Sequence, residues 1–130
     1  MTDRERLERA REAATGAYAP YSAFAVGALV VGGSGREYLG TNVENAAFPA
    51  SICAEANAIS TAVAAGERRI EAVYVVCLRR RRCMPCGNCR QIMREFGVDR
   101  VVVEGPDGPE TIPFAELLPR SFGPEDLSDP

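Results

Sequence analysis

Two short segments of the sequence carry residues that could do chemistry together. Cys53-Ala54-Glu55 and Pro85-Cys86-Gly87-Asn88-Cys89 bring three thiols and one carboxylate, about thirty residues apart. Each segment opens what reads as a helix, where orphan N–H groups and the helix dipole favour thiolate over thiol. Cys86 and Cys89 are three apart, so their sulfurs face the same way. Three thiolates fill three corners of a tetrahedral zinc and leave the fourth for water, the mark of a catalytic site rather than a structural one. The expected cofactor is one zinc ion per chain, held by Cys53, Cys86 and Cys89. The chain has no histidine, so proton transfer near neutral pH falls to a tuned carboxylate or a metal-activated water, and Glu55 is the carboxylate at hand. Cys53 and Glu55 are only two apart, which on a regular helix points them away from each other. They can share a site only if the metal lies over the helix end, with Cys53 in the first turn. Cys83 leaves an alternative open: Cys83, Cys86 and Cys89 are spaced C-x-x-C-x-x-C, and a closed four-cysteine structural zinc site would use Cys83. Cys77 ends an apolar strand and reads as a small core residue.

The elements that must position these groups are legible from periodicity. Thr2 to Gly16 reads as an amphipathic helix with capping-box spacing at Thr2 and Glu5. Phe24 to Val31 is nearly continuously apolar, as in a strand covered on both sides. After the turn at 32–35, Arg36 to Asn42 returns as the second strand of a hairpin. Ser51 is the expected cap of a helix running to Ala65 and ended by Gly66. Glu71 to Cys77 is a third strand. The loop from Leu78 to Pro85 leads to a helix from Cys86 to Phe96, stopped by Gly97. Arg100 to Glu104 and a short segment near Glu110 to Ile112 are the last strands, and Phe114 to Leu118 a last short helix. The tail from Phe122 is polar and expected to be exposed. This order gives an α/β class, a mixed sheet with helices packed on its faces.

Global composition sets the class. One domain fits 130 residues, and 46% apolar content supplies a core. A net charge of −3 gives no overall attraction to nucleic acid or anionic membrane. No apolar run approaches a membrane span, and the charged start shows no secretory signal. Five cysteines, three of them within seven residues, argue for metal in a reducing compartment over a disulfide framework. A cytoplasmic location is the expectation. The run Arg79-Arg80-Arg81-Arg82 reads as solvated surface, with a phosphate-facing lip as the alternative.

From about Tyr18 to Leu127 the chain resembles the small, homotetrameric cytidine deaminases. The resemblance rests on Pro20-Tyr21-Ser22, Phe24 with Val26-Gly27-Ala28, and Gly40-Thr41-Asn42-Val43-Glu44-Asn45-Ala46. It continues through Cys53-Ala54-Glu55, Pro85-Cys86-Gly87, Cys89-Arg90-Gln91, Leu117-Leu118-Pro119 and Phe122-Gly123-Pro124-Glu125-Asp126-Leu127. It implies a three-layer α/β/α fold with a mixed five-stranded sheet in a single domain spanning 1–130. The tail from 118 to 130 would lie at a subunit interface of a homotetramer. It implies zinc-dependent hydrolysis of cytidine and deoxycytidine to the uridines with loss of ammonia, in pyrimidine salvage. Glu55 would move protons from the water to N3 and to the leaving amino group. The Ala54 N–H would bind O2 of the base, Asn42 and Glu44 the ribose, and Phe24 the base face; Phe122, from a neighbouring subunit, would cover the nucleoside. The implied partner is a small nucleoside, with neither a nucleic-acid polymer nor a membrane. Two departures stand out. The family usually has arginine after Cys-Ala-Glu, near the thiolates, where this chain has Ala56; and Asn88 stands where a small residue is usual. They keep open a divergent deaminase of another aminopyrimidine nucleoside, or of an antibiotic such as blasticidin S.

Overall fold

A computed structural model describes residues 1–80 and 82–128; Arg81, Asp129 and Pro130 lie outside the described residues. In chain order the elements are α1 (Asp3–Ala14), β1 (Val26–Gly32), β2 (Glu37–Thr41), α2 (Ala54–Ala64), β3 (Ile70–Cys77), α3 (Gly87–Glu95), β4 (Arg100–Gly105), β5 (Gly108–Pro113) and α4 (Phe114–Leu117). Single 3-10 turns cover Phe48–Ala50 and Pro124–Leu127. The strands form one sheet in the order β2-β1-β3-β4-β5. Of the strand pairs only β3 and β4 are parallel, and α3 makes the crossover that a parallel pair requires. The other three pairings are antiparallel. The mixed five-stranded sheet expected from the sequence is present.

Strand alternation sorts the apolar side chains into two cores. Val26, Ala28 and Val30 of β1, Val73 and Val75 of β3, and Val101 and Val103 of β4 pack with Ala58, Ile59 and Ala62 of α2 and with Cys89 and Met93 of α3. Leu29 and Val31, Ala72, Tyr74 and Val76, and Val102 face the other way, onto Leu7 and Ala10 of α1. Helices therefore cover both faces, α1 on one and α2 with α3 on the other. The two helices that begin at cysteines share a face.

Helix α1 starts as its sequence indicates: the Thr2 hydroxyl accepts from the Glu5 N–H at 3.1 Å and donates to the Glu5 carboxylate. The expected cap of α2 is corrected. Cys53, not Ser51, occupies the N-cap, and the Ser51 hydroxyl accepts from the Asn45 N–H at 3.0 Å. The chain around Phe48–Ala50 turns once before the helix, which delays its start by two residues.

Helix α2 lies very close to β2, and Gly40 permits it. A Cβ at Gly40 would come within 2.4 Å of the Ala58 nitrogen and 2.7 Å of the Ala54 carbonyl oxygen. Both are backbone atoms of the helix that carries Glu55 and cannot swing aside. Gly40→Ala should therefore push α2 off the sheet and destabilise the protein by about 1–3 kcal/mol, the usual scale of overpacking. A lowered urea midpoint in the variant is the expected result; an unchanged midpoint would contradict the close approach.

Candidate metal centre

Cys53 and Cys86 are the N-cap residues of α2 and α3, both with extended backbone, and Cys89 lies in the first turn of α3. Their three sulfurs lie within 4.8 Å of one another, with Cys53 and Cys86 Sγ 4.0 Å apart. Tetrahedral zinc with Zn–S bonds of about 2.3 Å sets sulfurs about 3.8 Å apart, so the group fits one ion with little movement. Cys89 is buried, Cys53 half-buried and Cys86 exposed.

Glu55 sits one residue inside α2 and is 5% exposed. Burial pushes its carboxyl well up from the ordinary carboxylate range, and its own backbone N–H offsets part of this. The sulfurs gather over the helix end as the Cys53–Glu55 spacing requires, but Cys53 is corrected from the first turn to the N-cap just outside it. Glu55 is near enough that its charge raises the thiols of both Cys89 and Cys53. For these two thiols burial is the largest upward influence, followed for Cys53 by the charge of Cys86 and for Cys89 by that of Glu55. For Cys86, burial acts upward, yet the backbone N–H of Cys89, the neighbouring sulfurs and the Asn88 N–H outweigh it, and the thiol lies below its ordinary value. Burial and mutual charge thus disfavour thiolate at Cys53 and Cys89, a penalty that a bound cation would offset.

The remaining two cysteines are disposed otherwise than expected. Cys77 is buried, but it is not merely a core residue: it forms a disulfide with Cys83, Cα–Cα 5.5 Å. Neither is then available as a fourth ligand, so the closed four-cysteine site is not formed. The preference for metal over disulfide holds for three cysteines and is corrected for two. The only hint in the sequence was the six-residue spacing between the end of a strand and the loop that follows it.

Of the candidate substrate residues, Phe24, Asn42 and Glu44 come together on hydrogen-bonded loops, whereas Ala54 lies in α2 and Phe122 is tied to α3. Val43 exchanges backbone hydrogen bonds with Ile52 at 2.9 Å each way, which sets Asn42 and Glu44 alongside the strand end leading to Cys53. Tyr18 joins the braid, its N–H to Asn42 O and its carbonyl to the Glu44 N–H. The Asn42 amide accepts from the Val26 N–H at 2.9 Å and donates to Phe24 O at 2.8 Å. Glu44 accepts from the N–H groups of Tyr21 and Ser22 and from the Ser22 hydroxyl. The hydroxyl bond, the largest influence, and these N–H bonds hold its carboxyl below the ordinary range. Glu44 also lines a cleft of about 360 Å³ with Tyr21, Ser22, Phe48 and Ser51. Phe24 is partly buried against the larger core, and Ala54 is fully buried as the first residue of α2. Phe122 is 56% exposed, its carbonyl taking a hydrogen bond from Gln91 Nε2 at 2.9 Å. Ala56 packs against the core. Of the arginine run, Arg79 and Arg80 are exposed and Arg82 pairs with Glu110 at 3.0 Å.

Residues 1–104 match the family model described as the cytidine and deoxycytidylate deaminase zinc-binding region. A cytidine deaminase of Mycobacterium tuberculosis is 39% identical over 91% of this chain and 87% of its own length. One from Halalkalibacterium halodurans is 39% identical over 98% and 99%. This chain belongs to the cytidine deaminase family. The crystal structure of cytidine deaminase from Burkholderia pseudomallei superposes with a TM-score of 0.86 at 39% identity, covering 94% of this chain and all of that one. The cytidine deaminase fold and a zinc cofactor follow from these matches together with the three-sulfur group.

The pairing of the cysteines is directly testable. Protein purified without reductant, stripped of metal and denatured should show three reactive thiols per chain, rising to five after reduction. Five thiols before reduction would exclude the Cys77–Cys83 bridge.

Proposed function

We propose that this chain is a zinc-dependent hydrolase converting cytidine and deoxycytidine, with water, to uridine and deoxyuridine and ammonia. The observation that carries it is the buried Glu55 beside three sulfurs gathered over two helix starts. The cytidine deaminase relatives weigh toward this substrate class and away from a nucleoside antibiotic.

Cys53, Cys86 and Cys89 would hold the zinc. When bound, the ion supplies a Lewis acid that makes a water acidic near neutral pH. Glu55 would take a proton from the attacking water as its oxygen bonds to C4, and deliver that proton to N3 of the ring. It would next take the second proton, from the hydroxyl now on C4, and pass it to the C4 amino group, so that the C4–N bond breaks, ammonia leaves and a C4 carbonyl remains. Its burial suits it to both directions, because desolvation raises the carboxyl's hold on a proton. The Ala54 N–H, one of the orphan donors at the start of α2, binds O2 of the base. Phe24 packs on the base.

Asn42 and Glu44 bind the sugar hydroxyls with what their loop bonds leave over. A carboxylate accepts about four hydrogen bonds, and Glu44 uses three on Tyr21 and Ser22. Asn42 has one donor and one acceptor position left beyond its bonds to Phe24 and Val26. The loop bonds thus orient both groups before substrate arrives.

A homotetramer in the cytoplasm completes the proposal. Phe122, Phe48, Tyr21 and Ile52 are exposed at 56%, 69%, 53% and 48%, and Tyr21 and Phe48 touch edge to face at 5.9 Å. Apolar surface of this kind fits a protein interface better than solvent, and Phe122 from a neighbouring chain covers the nucleoside. Among the described residues no helix is long and apolar enough to cross a membrane.

Three outcomes test this function. Cys86→Ala should lose zinc and activity together, since metal affinity and folding are linked; full zinc retention would reject the ligand set. Glu55→Gln should keep zinc and fold but lose roughly two to four orders of magnitude in turnover, and near-normal turnover or loss of metal would remove Glu55 from the proton path. Light scattering should give an assembly of four chains, and Phe122→Ala should raise KM about fivefold, equivalent to about 1 kcal/mol of lost ring contact; an active monomer would contradict the shared site.

A further inference from the structure

Cys86 differs from the other two cysteines of the centre in having little packing to hold it. Cys89 is fully buried in the core of α3, and Cys53 is half-buried at the mouth of α2, whereas Cys86 is exposed. It also stands just outside the helix, as the cap, after a loop whose described residues are mostly exposed. A metal ligand so placed needs its backbone fixed by something else.

Both peptide groups that bound Cys86 are bonded to one residue. The Arg90 backbone N–H donates to the Cys86 carbonyl at 3.0 Å. The Arg90 Nε donates to the Pro85 carbonyl, on the other side of Cys86, at 2.9 Å. The guanidinium then reaches away from the centre, and Nη1 donates to the Leu117 carbonyl at 2.8 Å. Leu117 ends α4, so that carbonyl is one of the orphan acceptors at a helix C-terminus. These guanidinium bonds go to carbonyls and not to thiolates. The charge of Arg90 is directed at the backbone, and its planar fork spans two segments that a point-like ammonium could not bridge together.

We infer that Arg90 is a positioning residue for the metal centre, fixing the Cys86 cap against α4 through its two-carbonyl grip. This rests on Cys86 being a zinc ligand. The neighbouring residues of α3 act elsewhere. Gln91 holds the Phe122 carbonyl, and Arg94 holds the Ser121 hydroxyl at 2.9 Å and pairs with Glu125. One helix therefore carries two clamps, Arg90 on the ligand loop and Gln91 with Arg94 on the tail. They should be separable by experiment.

The test is the rate of zinc transfer from the loaded protein to a chromophoric chelator, for the parent and for Arg90→Lys, Arg90→Ala, Arg94→Ala and Cys86→Ala. Loss of a group that orients a metal ligand typically costs about 10–100-fold in metal affinity. Arg90→Ala should release zinc faster by about that factor. Arg90→Lys should fold like the parent yet release zinc markedly faster, because it keeps the charge and loses the fork. In the cobalt(II)-substituted Arg90→Lys protein the sulfur-to-metal charge-transfer band should shift. Arg94→Ala should release zinc at the parent rate. Parent-like release and an unshifted cobalt band in Arg90→Lys would overturn the proposal, as would equally fast release from Arg94→Ala. A failure of Arg90→Lys to fold would overturn it too, since Arg90 would then hold the fold and not one ligand. Retention of zinc by Cys86→Ala is the distinct result that would instead reject the ligand set on which the inference rests.

Discussion

Three sulfurs on segments far apart in the chain must converge without a metal to pull them together first. The cost is electrostatic: gathered thiolates repel, and burial disfavours charge on each. The raised thiols of Cys53 and Cys89 express that cost. The fold meets it by setting the starts of α2 and α3 side by side over one face of the sheet. Helix N-termini are the part of a protein where N–H groups favour negative charge, and the lowered thiol of Cys86 shows the effect. A divalent cation then removes most of the remaining repulsion.

This placement depends on the middle of the sheet. Strand β3 lies between β1 and β4, and its alternate residues serve both cores. Its end delivers the chain at Cys77 to the loop that leads to Cys86. The Cys77–Cys83 bridge shortens the free part of that loop, and Arg90 fixes its last peptide before the ligand. On the other side, Gly40 lets α2 settle against β2, and the Val43–Ile52 bridge ties the loop of Asn42 and Glu44 to the segment before Cys53. The proposed metal, base and sugar positions are thus held by short backbone ties to a rigid sheet.

A site without histidine needs a carboxyl that stays protonated part of the time. Glu55 suits the proposed role by position: it is one residue inside a helix that packs on the sheet, and desolvation disfavours its charge. The absence of the family's usual arginine at position 56 does not bring Arg90 into its place. Arg90 turns to carbonyls, and Ala56 packs into the core.

The sequence by itself determined the chemistry and most of the elements. Types and spacings at 53–55 and 86–89 point to zinc and to Glu55 as the proposed acid–base group, because few residue sets can do that work. The strands and helices follow from apolar periodicity, with ends displaced by one or two residues. What the tertiary structure decided was contact between segments distant in sequence. Ser51 reads as a good cap, but the turn at Phe48–Ala50 moves the helix start to Cys53. Cys77 and Cys83 read as a core residue and a spare ligand, yet the end of β3 and its loop bring them into a pair. Nothing local to Arg90 says where a long flexible side chain will point; that depends on α4 ending beside α3. Local propensity and residue chemistry are written along the chain. Side-chain partners depend on how the chain returns on itself, and only the packed sheet and its helices supply that.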